Sequence, residues 1–195
     1  MIDKDTKIFC SFSSNPGNNG CSFFNEAFEQ KNINAIYKSF YSDDISKSIE
    51  AVKTLDIAGF AISMPFKTEV IAIVDEISSE VHSIGSANTV INTNGYLIAY
   101  NTDYLGVKSL LAAYNVNVVY ILGNGGFSKA VQYACGLNDQ HFEVIRRDEW
   151  EAARRLKNQL IFNATPANFT SNDNTVIDGR PFTDDGKKIA LQQAK

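Results

Sequence analysis

Histidine and cysteine are scarce in this chain of 195 residues, with two of the first and three of the second. Cys10, Cys21 and Cys135 are odd in number and widely spaced, which argues against a disulfide framework and suits buried free thiols. With His82 and His141 as the only imidazoles, ligands for a structural zinc site are too few, and no metal is expected. A basic excess is missing as well. Eighteen Lys and Arg stand against 22 Asp and Glu, a net charge of -4, and no basic stripe interleaved with aromatics marks a nucleic-acid footprint. The apolar runs are far shorter than a membrane span, and the opening MIDKDTKIF has no signal-peptide layout, so a cytoplasmic location away from membranes is the expectation. What is present is a composition of 44% hydrophobic and 21% charged residues, enough for a real core in one ordinary domain or two small ones.

The pattern alternates along the chain. KIFCSF reads as a strand, SSNPGNNG as a loop of turn residues, and CSFFNEAFEQK as a helix with Phe23, Phe24, Ala27 and Phe28 on one face. AIYKSF is strand-like. SDDISKSIEAVKTL predicts a helix with Ser42 as its N-cap and Ile45, Ile49, Val52 and Leu55 along one side. IAGFAIS predicts a buried strand, FKTEVIAIVDEI a helix, and TVINTNGYLIAY a hairpin turning at Asn94-Gly95. The second half restarts with a helix from Asp103, then strand, glycine turn and helix across VNVVYILGNGGFSKAVQYACGL. FEVIRRDEWEAARRLKN adds a strand and a helix, and QLIFNATP a further strand, room for about three parallel strands. After Ala167 the sequence is polar and turn-rich until a short amphipathic end, KKIALQQAK. The expected class is α/β with mostly parallel sheets, divided near the helix that begins at Asp103 into residues 1–103 and 104–195.

Several residues could carry chemistry. Gly123-Asn124-Gly125-Gly126 follows a β-branched run and precedes a helix, as in a dinucleotide-binding turn, where absent side chains let phosphate approach the helix N-terminus. Ser128 takes the third small position; packing alone is the alternative. At the end of the next strand stand Arg146, Arg147 and Asp148. Arginine there accommodates the 2′-phosphate of NADP and an acid the 2′-hydroxyl of NAD, while a plain N-cap role for Asp148 is the alternative. In the first half, Lys67 lies just beyond a buried strand, the end at which open α/β sheets bind ligands. A solvated lysine, a turn-forming Asn88 and a dipole-complementing Asp103 are the simpler readings of those three residues.

Five stretches, SMPFK, IGSANTVI, AYNTDYLGV, LGNGGFSKAV and FNATP, resemble in order and spacing the motifs of the shikimate dehydrogenase family, especially its shikimate dehydrogenase-like and quinate/shikimate branches. The resemblance covers roughly residues 1–166. It implies a substrate-binding domain over 1–103 and a shortened Rossmann-like NADP-binding domain over 104–195, the last residues returning to the first domain. It also implies NADP(H)-dependent reduction of 3-dehydroshikimate to shikimate, or of a related cyclic hydroxy acid, within aromatic amino acid and chorismate biosynthesis. NADP is the implied cofactor with NAD as the alternative, the implied partner is a small-molecule substrate, and a homodimer is compatible. Carried over by residue, Lys67 and Asp103 match the catalytic pair, and Ser13, Ser22, Ser63, Asn88 and Gln192 the substrate-binding set. Gly123, Asn124, Gly125, Gly126, Arg146, Arg147, Asp148, Asn163 and Thr165 match the cofactor side. Two departures stand out: a longer loop between Ser13 and the first helix, and only about thirty residues after FNATP, so a weakly active or inactive ligand-binding relative is the competing reading.

Overall fold

The computed structural model describes residues 2–181 and 183–193, with backbone only for 191–193. The chain forms two compact units that divide between Asn101 and Thr102. No helix among the described residues is long and apolar enough to cross a membrane.

The first unit runs β1 (Lys7–Ser13), α1 (Asn19–Gln30), β2 (Ala35–Tyr41), α2 (Ile45–Thr54), β3 (Gly59–Ile62), a 3-10 turn (Glu69–Ala72), β4 (Glu76–Ile77), α3 (Ser79–Ile84), β5 (Thr89–Thr93) and β6 (Tyr96–Tyr100). Its sheet has the order β2-β1-β3-β5-β6-β4, in which β5 is antiparallel to both neighbours and the other pairings are parallel. Alternate residues Cys10, Phe12, Phe60 and Ile62 join Ile45, Ile49 and Val52 of α2 in one core, as the strand and helix periods require. The cap of α2 differs from expectation: the Asp44 carboxylate accepts from Lys47 N at 3.1 Å, while the Ser42 hydroxyl bonds to Asp44 and Ser48. The hairpin turns at Asn94 (φ 54°) and Gly95 (φ 87°), the positive-φ pair that Asn-Gly favours.

Two further expectations are corrected here. The helix read into FKTEVIAIVDEI is only the 3-10 turn followed by β4. Val70 is buried and Ile71, Ile73 and Val74 pack on the same core, so burial of a β-branched cluster overrides helical periodicity. Helix α1 seats its apolar face on the sheet through Phe24, whose ring stacks on Tyr37 at 4.6 Å, and Phe28, which packs on Phe9 at 5.6 Å, while Phe23 remains 43% exposed. It also bonds along the edge strand. The Asn25 amide accepts from Tyr37 N at 2.8 Å and donates to Tyr37 O at 2.9 Å, and Cys21 Sγ accepts from Ser39 N at 3.2 Å. Positions four apart on a helix and two apart on a strand span similar lengths, so one helix satisfies successive edge groups and blocks the strand from pairing further. Cys21 is therefore half-exposed; Cys10 and Cys135 are buried, and burial pushes their thiols up to about 12 and about 11.

The second unit runs α4 (Asp103–Leu111), β7 (Val118–Leu122), α5 (Gly126–Leu137), β8 (His141–Ile145), a 3-10 turn (Arg147–Glu149), α6 (Trp150–Arg155), β9 (Leu160–Asn163), β10 (Thr175–Asp178) and α7 (Asp184–Gln193). Its four strands are all parallel, in the order β10-β9-β7-β8, one more than the sequence suggested. The extra strand is the short TVID, hidden among polar turn residues. Val119, Ile121, Leu160, Phe162 and Ile177 face α4, α5 and α7, whereas Tyr120, Leu122, Ile161 and Val176 face α6. Both faces are thus covered, which is why these strands read as continuous apolar runs. Strand β8 lies on one side of β7 and β9 on the other, so the strand order reverses beside the end of β7, where open α/β sheets take their ligands.

Candidate functional site

In the first unit, the predicted substrate groups gather where β1 and β3 end. Phe12 is in register with Ile62, so Ser13 and Ser63 terminate adjacent strands. Ser13 is buried; its hydroxyl accepts from Asn15 N at 3.0 Å and donates to Met64 O at 3.4 Å. Beyond β3, Phe66 N donates to Ser63 O at 3.1 Å, closing the turn that presents Lys67. The Lys67 carbonyl accepts from Ala87 N at 2.8 Å, and the next residue, Asn88, is held on both sides: its N–H reaches Tyr100 O at 3.0 Å and its carbonyl accepts from Ile62 N at 2.8 Å. The SMPFK and IGSANT segments therefore run together at one end of the sheet. Asn88 is buried, with its Oδ1 accepting from the Thr89 hydroxyl at 2.9 Å; Lys67 is half-buried and Ser63 exposed. Ser22 sits exposed in the first turn of α1. A cation flanked by hydroxyl and amide groups suits a ligand bearing hydroxyl, carbonyl or carboxylate oxygens.

Two polar residues that the sequence reading passed over also belong to this end of the sheet. Asn101 and Ser86 are buried, and the Asn101 amide donates to Ser86 O at 2.8 Å and Ser86 Oγ at 3.2 Å. The visible signal was the arrival of Asn101, Thr102 and Asp103 together after an apolar strand.

In the second unit, the glycine turn sits at the end of β7. Gly123 has φ +100°, and a Cβ there would come within 2.7 Å of Thr165 Cγ2, so glycine is required both by conformation and by the approach of the β9 loop. Gly125 is the N-cap of α5, and a Cβ on it would meet no atom within 4 Å. Asn124 and Gly125 are exposed, which leaves room for an anion at the start of a 12-residue helix. Ser128 is fully buried and donates to Gly123 O at 2.7 Å, tying helix to turn. Arg146, Arg147 and Asp148 are exposed beyond β8. Asp148 is not a helix N-cap: it lies inside the 3-10 turn, and the Glu149 carboxylate accepts from Arg146 N at 3.0 Å.

Asn163 is fully enclosed, donating to Ala167 O at 2.8 Å and accepting from the Thr165 hydroxyl at 2.7 Å, so it shapes the loop that carries Thr165 against Gly123. Asp103 is the first residue of α4 and is 6% exposed. Gln192 belongs to the backbone of α7, and its side chain lies outside the described residues. The turn, its open surroundings and the nearby arginines fit a dinucleotide phosphate. Lys67 belongs to the first unit and Asp103 to the second.

Comparison with known proteins agrees with this geometry. The family model of the shikimate dehydrogenase substrate binding domain matches residues 20–90. A shikimate dehydrogenase-like protein of Haemophilus influenzae is 42% identical over 149 residues, 75% of this chain and 54% of that protein. A shikimate dehydrogenase (NADP(+)) of Pyrococcus furiosus is 40% identical over 164 residues, 80% of this chain and 59% of its own length. The chain thus spans between half and two thirds of these relatives. The solved structure of a shikimate 5-dehydrogenase-like protein superposes with a TM-score of 0.72 at 34% identity, covering 85% of this chain and 68% of the other. Sequence and architecture together place the chain in the shikimate dehydrogenase family.

Proposed function

We propose that the chain is an oxidoreductase that interconverts a shikimate-like cyclic hydroxy acid and its ketone with NADP(H). The observation that carries this reading is that the segments bearing Ser13, Ser63, Lys67 and Asn88 run together at one end of the sheet in a member of this family. The turn at Gly123–Gly126 is proposed to hold the pyrophosphate, and Arg146 and Arg147 the 2′-phosphate that distinguishes NADP from NAD. When bound, the nicotinamide supplies or accepts the hydride. Lys67 and Asp103 are proposed to act as a pair. In the reducing direction the Lys67 ammonium gives a proton to the oxygen of the ketone as its carbon becomes a carbinol. In reverse the amine takes that proton back. A cation at the developing alkoxide stabilises the transition state more than the ground state. Asp103 orients the lysine and accepts a hydrogen bond from a substrate hydroxyl, and Ser13, Ser22, Ser63 and Asn88 hold the remaining oxygens. Gln192 is proposed to reach the substrate from α7.

A second reading has its own support: the Haemophilus relative is itself described as shikimate dehydrogenase-like. That reading is of a protein that binds a cyclic acid without efficient turnover. Purified protein mixed with shikimate and NADP⁺, then with NAD⁺, decides by the absorbance of reduced nicotinamide. Turnover with NADP⁺ supports the enzyme. No turnover with either, together with a melting temperature raised by shikimate, supports the binding protein.

A further inference from the structure

We infer that Asn101 is a positioning residue for the substrate end of the first unit's sheet, acting through Ser86 on Asn88 and Lys67. The inference rests on the proposed roles of Asn88 and Lys67. Asn101 is 1% exposed and Ser86 is fully enclosed, and their two contacts, 2.8 Å to the carbonyl and 3.2 Å to the hydroxyl, both come from one amide nitrogen. Ser86 opens a run held at every residue: by the Asn101 amide at Ser86, by the Lys67 carbonyl at Ala87, and by Tyr100 and Ile62 at Asn88. The last three are backbone bonds that any sequence could form. The first depends on the Asn101 side chain. Removing it leaves a buried carbonyl without that donor, and such a group recruits water or shifts until another donor is found. A shift at Ser86 moves Ala87, from which the Lys67 backbone hangs, and Asn88 beside it. Displacements of about 1 Å at a reacting centre cost roughly a hundredfold in rate, so a tie remote from the chemistry can govern it.

A merely structural polar pair would lower the melting temperature of a variant and leave its folded fraction fully active. The test therefore reads geometry and function separately. In Asn101→Ala, kcat with shikimate and NADP⁺ is expected to fall about a hundredfold, and shikimate affinity about tenfold. The dissociation constant for NADP⁺ is expected to stay within about twofold, because the proposed cofactor residues belong to the other unit. Amide hydrogen exchange at Ala87 and Asn88 is expected to quicken about tenfold or more. Ser86→Ala keeps the 2.8 Å carbonyl contact and is expected to retain kcat within about threefold of the parent. Adding it to Asn101→Ala should cost nothing further, since the hydroxyl contact it removes is to the Asn101 amide that is already gone. Asn101→Ser, too short to reach the Ser86 carbonyl, carries the same test if Asn101→Ala does not fold. Folded Asn101 variants with kcat and shikimate affinity near the parent values overturn the inference. So does a loss of turnover without faster exchange at Ala87. Parent protein that neither turns over nor is stabilised by shikimate removes the roles given to Lys67 and Asn88. The exchange rates still decide whether Asn101 sets the geometry of the segment.

Discussion

Gly123→Ala tests the nucleotide-binding turn by its own geometry. An L-residue at φ +100° carries left-handed strain of about 1–2 kcal/mol. The new Cβ also meets Thr165 Cγ2 at 2.7 Å, an overpacking that adds about 1–3 kcal/mol because the Thr165 hydroxyl is anchored on Asn163. The loss of stability is therefore roughly 2–5 kcal/mol. Thr165→Ser removes Cγ2 and keeps the hydroxyl; the next atom from the Cβ is Ala164 O at 3.5 Å, an ordinary contact. In that background the same glycine substitution should cost only about 1–2 kcal/mol. The assay is urea unfolding of the four proteins, followed by the fluorescence of Trp150, the single tryptophan, which packs edge-on against Phe169 in the same unit. Equal losses in both backgrounds would refute the steric argument, and a loss below about 0.5 kcal/mol would refute the strain argument too.

Lys67→Ala is expected to cut turnover about a hundredfold or more with an unchanged unfolding midpoint, and near-normal kinetics would remove Lys67 from the chemistry. The double variant Arg146→Ala/Arg147→Ala should weaken NADP⁺ binding about tenfold to a hundredfold while leaving NAD⁺ affinity nearly constant, measured by titration of each nucleotide; equal losses for both would take the 2′-phosphate from these arginines. Acid should weaken the first unit through Asp75. Its carboxyl is held below the usual range, first by the Leu97 N–H at 2.8 Å and then by Lys53 at 3.2 Å. A depressed folded pKa gives stability that is present above the unfolded value of about 3.9 and is lost as pH falls through the folded one. Asp75→Asn should flatten that decline in urea unfolding measured across acidic pH, and an unaltered slope would assign it to other carboxylates.

Where local chemistry agrees with global packing, the sequence alone was sufficient. Asn94-Gly95 demanded positive φ and made the hairpin, and Ile45, Ile49 and Val52 lined one side of α2. The run VVYIL followed by glycines announced a strand turning into a helix. The five motifs identified the family because each is a short contiguous stretch. Other features depended on contacts distant in the chain. Val70, Ile71, Ile73 and Val74 looked helical until a core drew them in, and TVID became a strand only because β9 offered its edge. Asn25 and Cys21 tie α1 to the edge of β2 through bonds that span twelve and eighteen positions. The tie between Asn101 and Ser86 likewise spans fifteen positions. The sequence by itself determined the periodic elements, the family and the residue types available for chemistry, since these follow from neighbours within a few positions. Tertiary structure alone decided which strand ends adjoin, which polar groups are enclosed and how the segments bearing Lys67 and Asn88 come to one end of the sheet, because hydrogen bonding and burial act through space between residues the chain keeps apart.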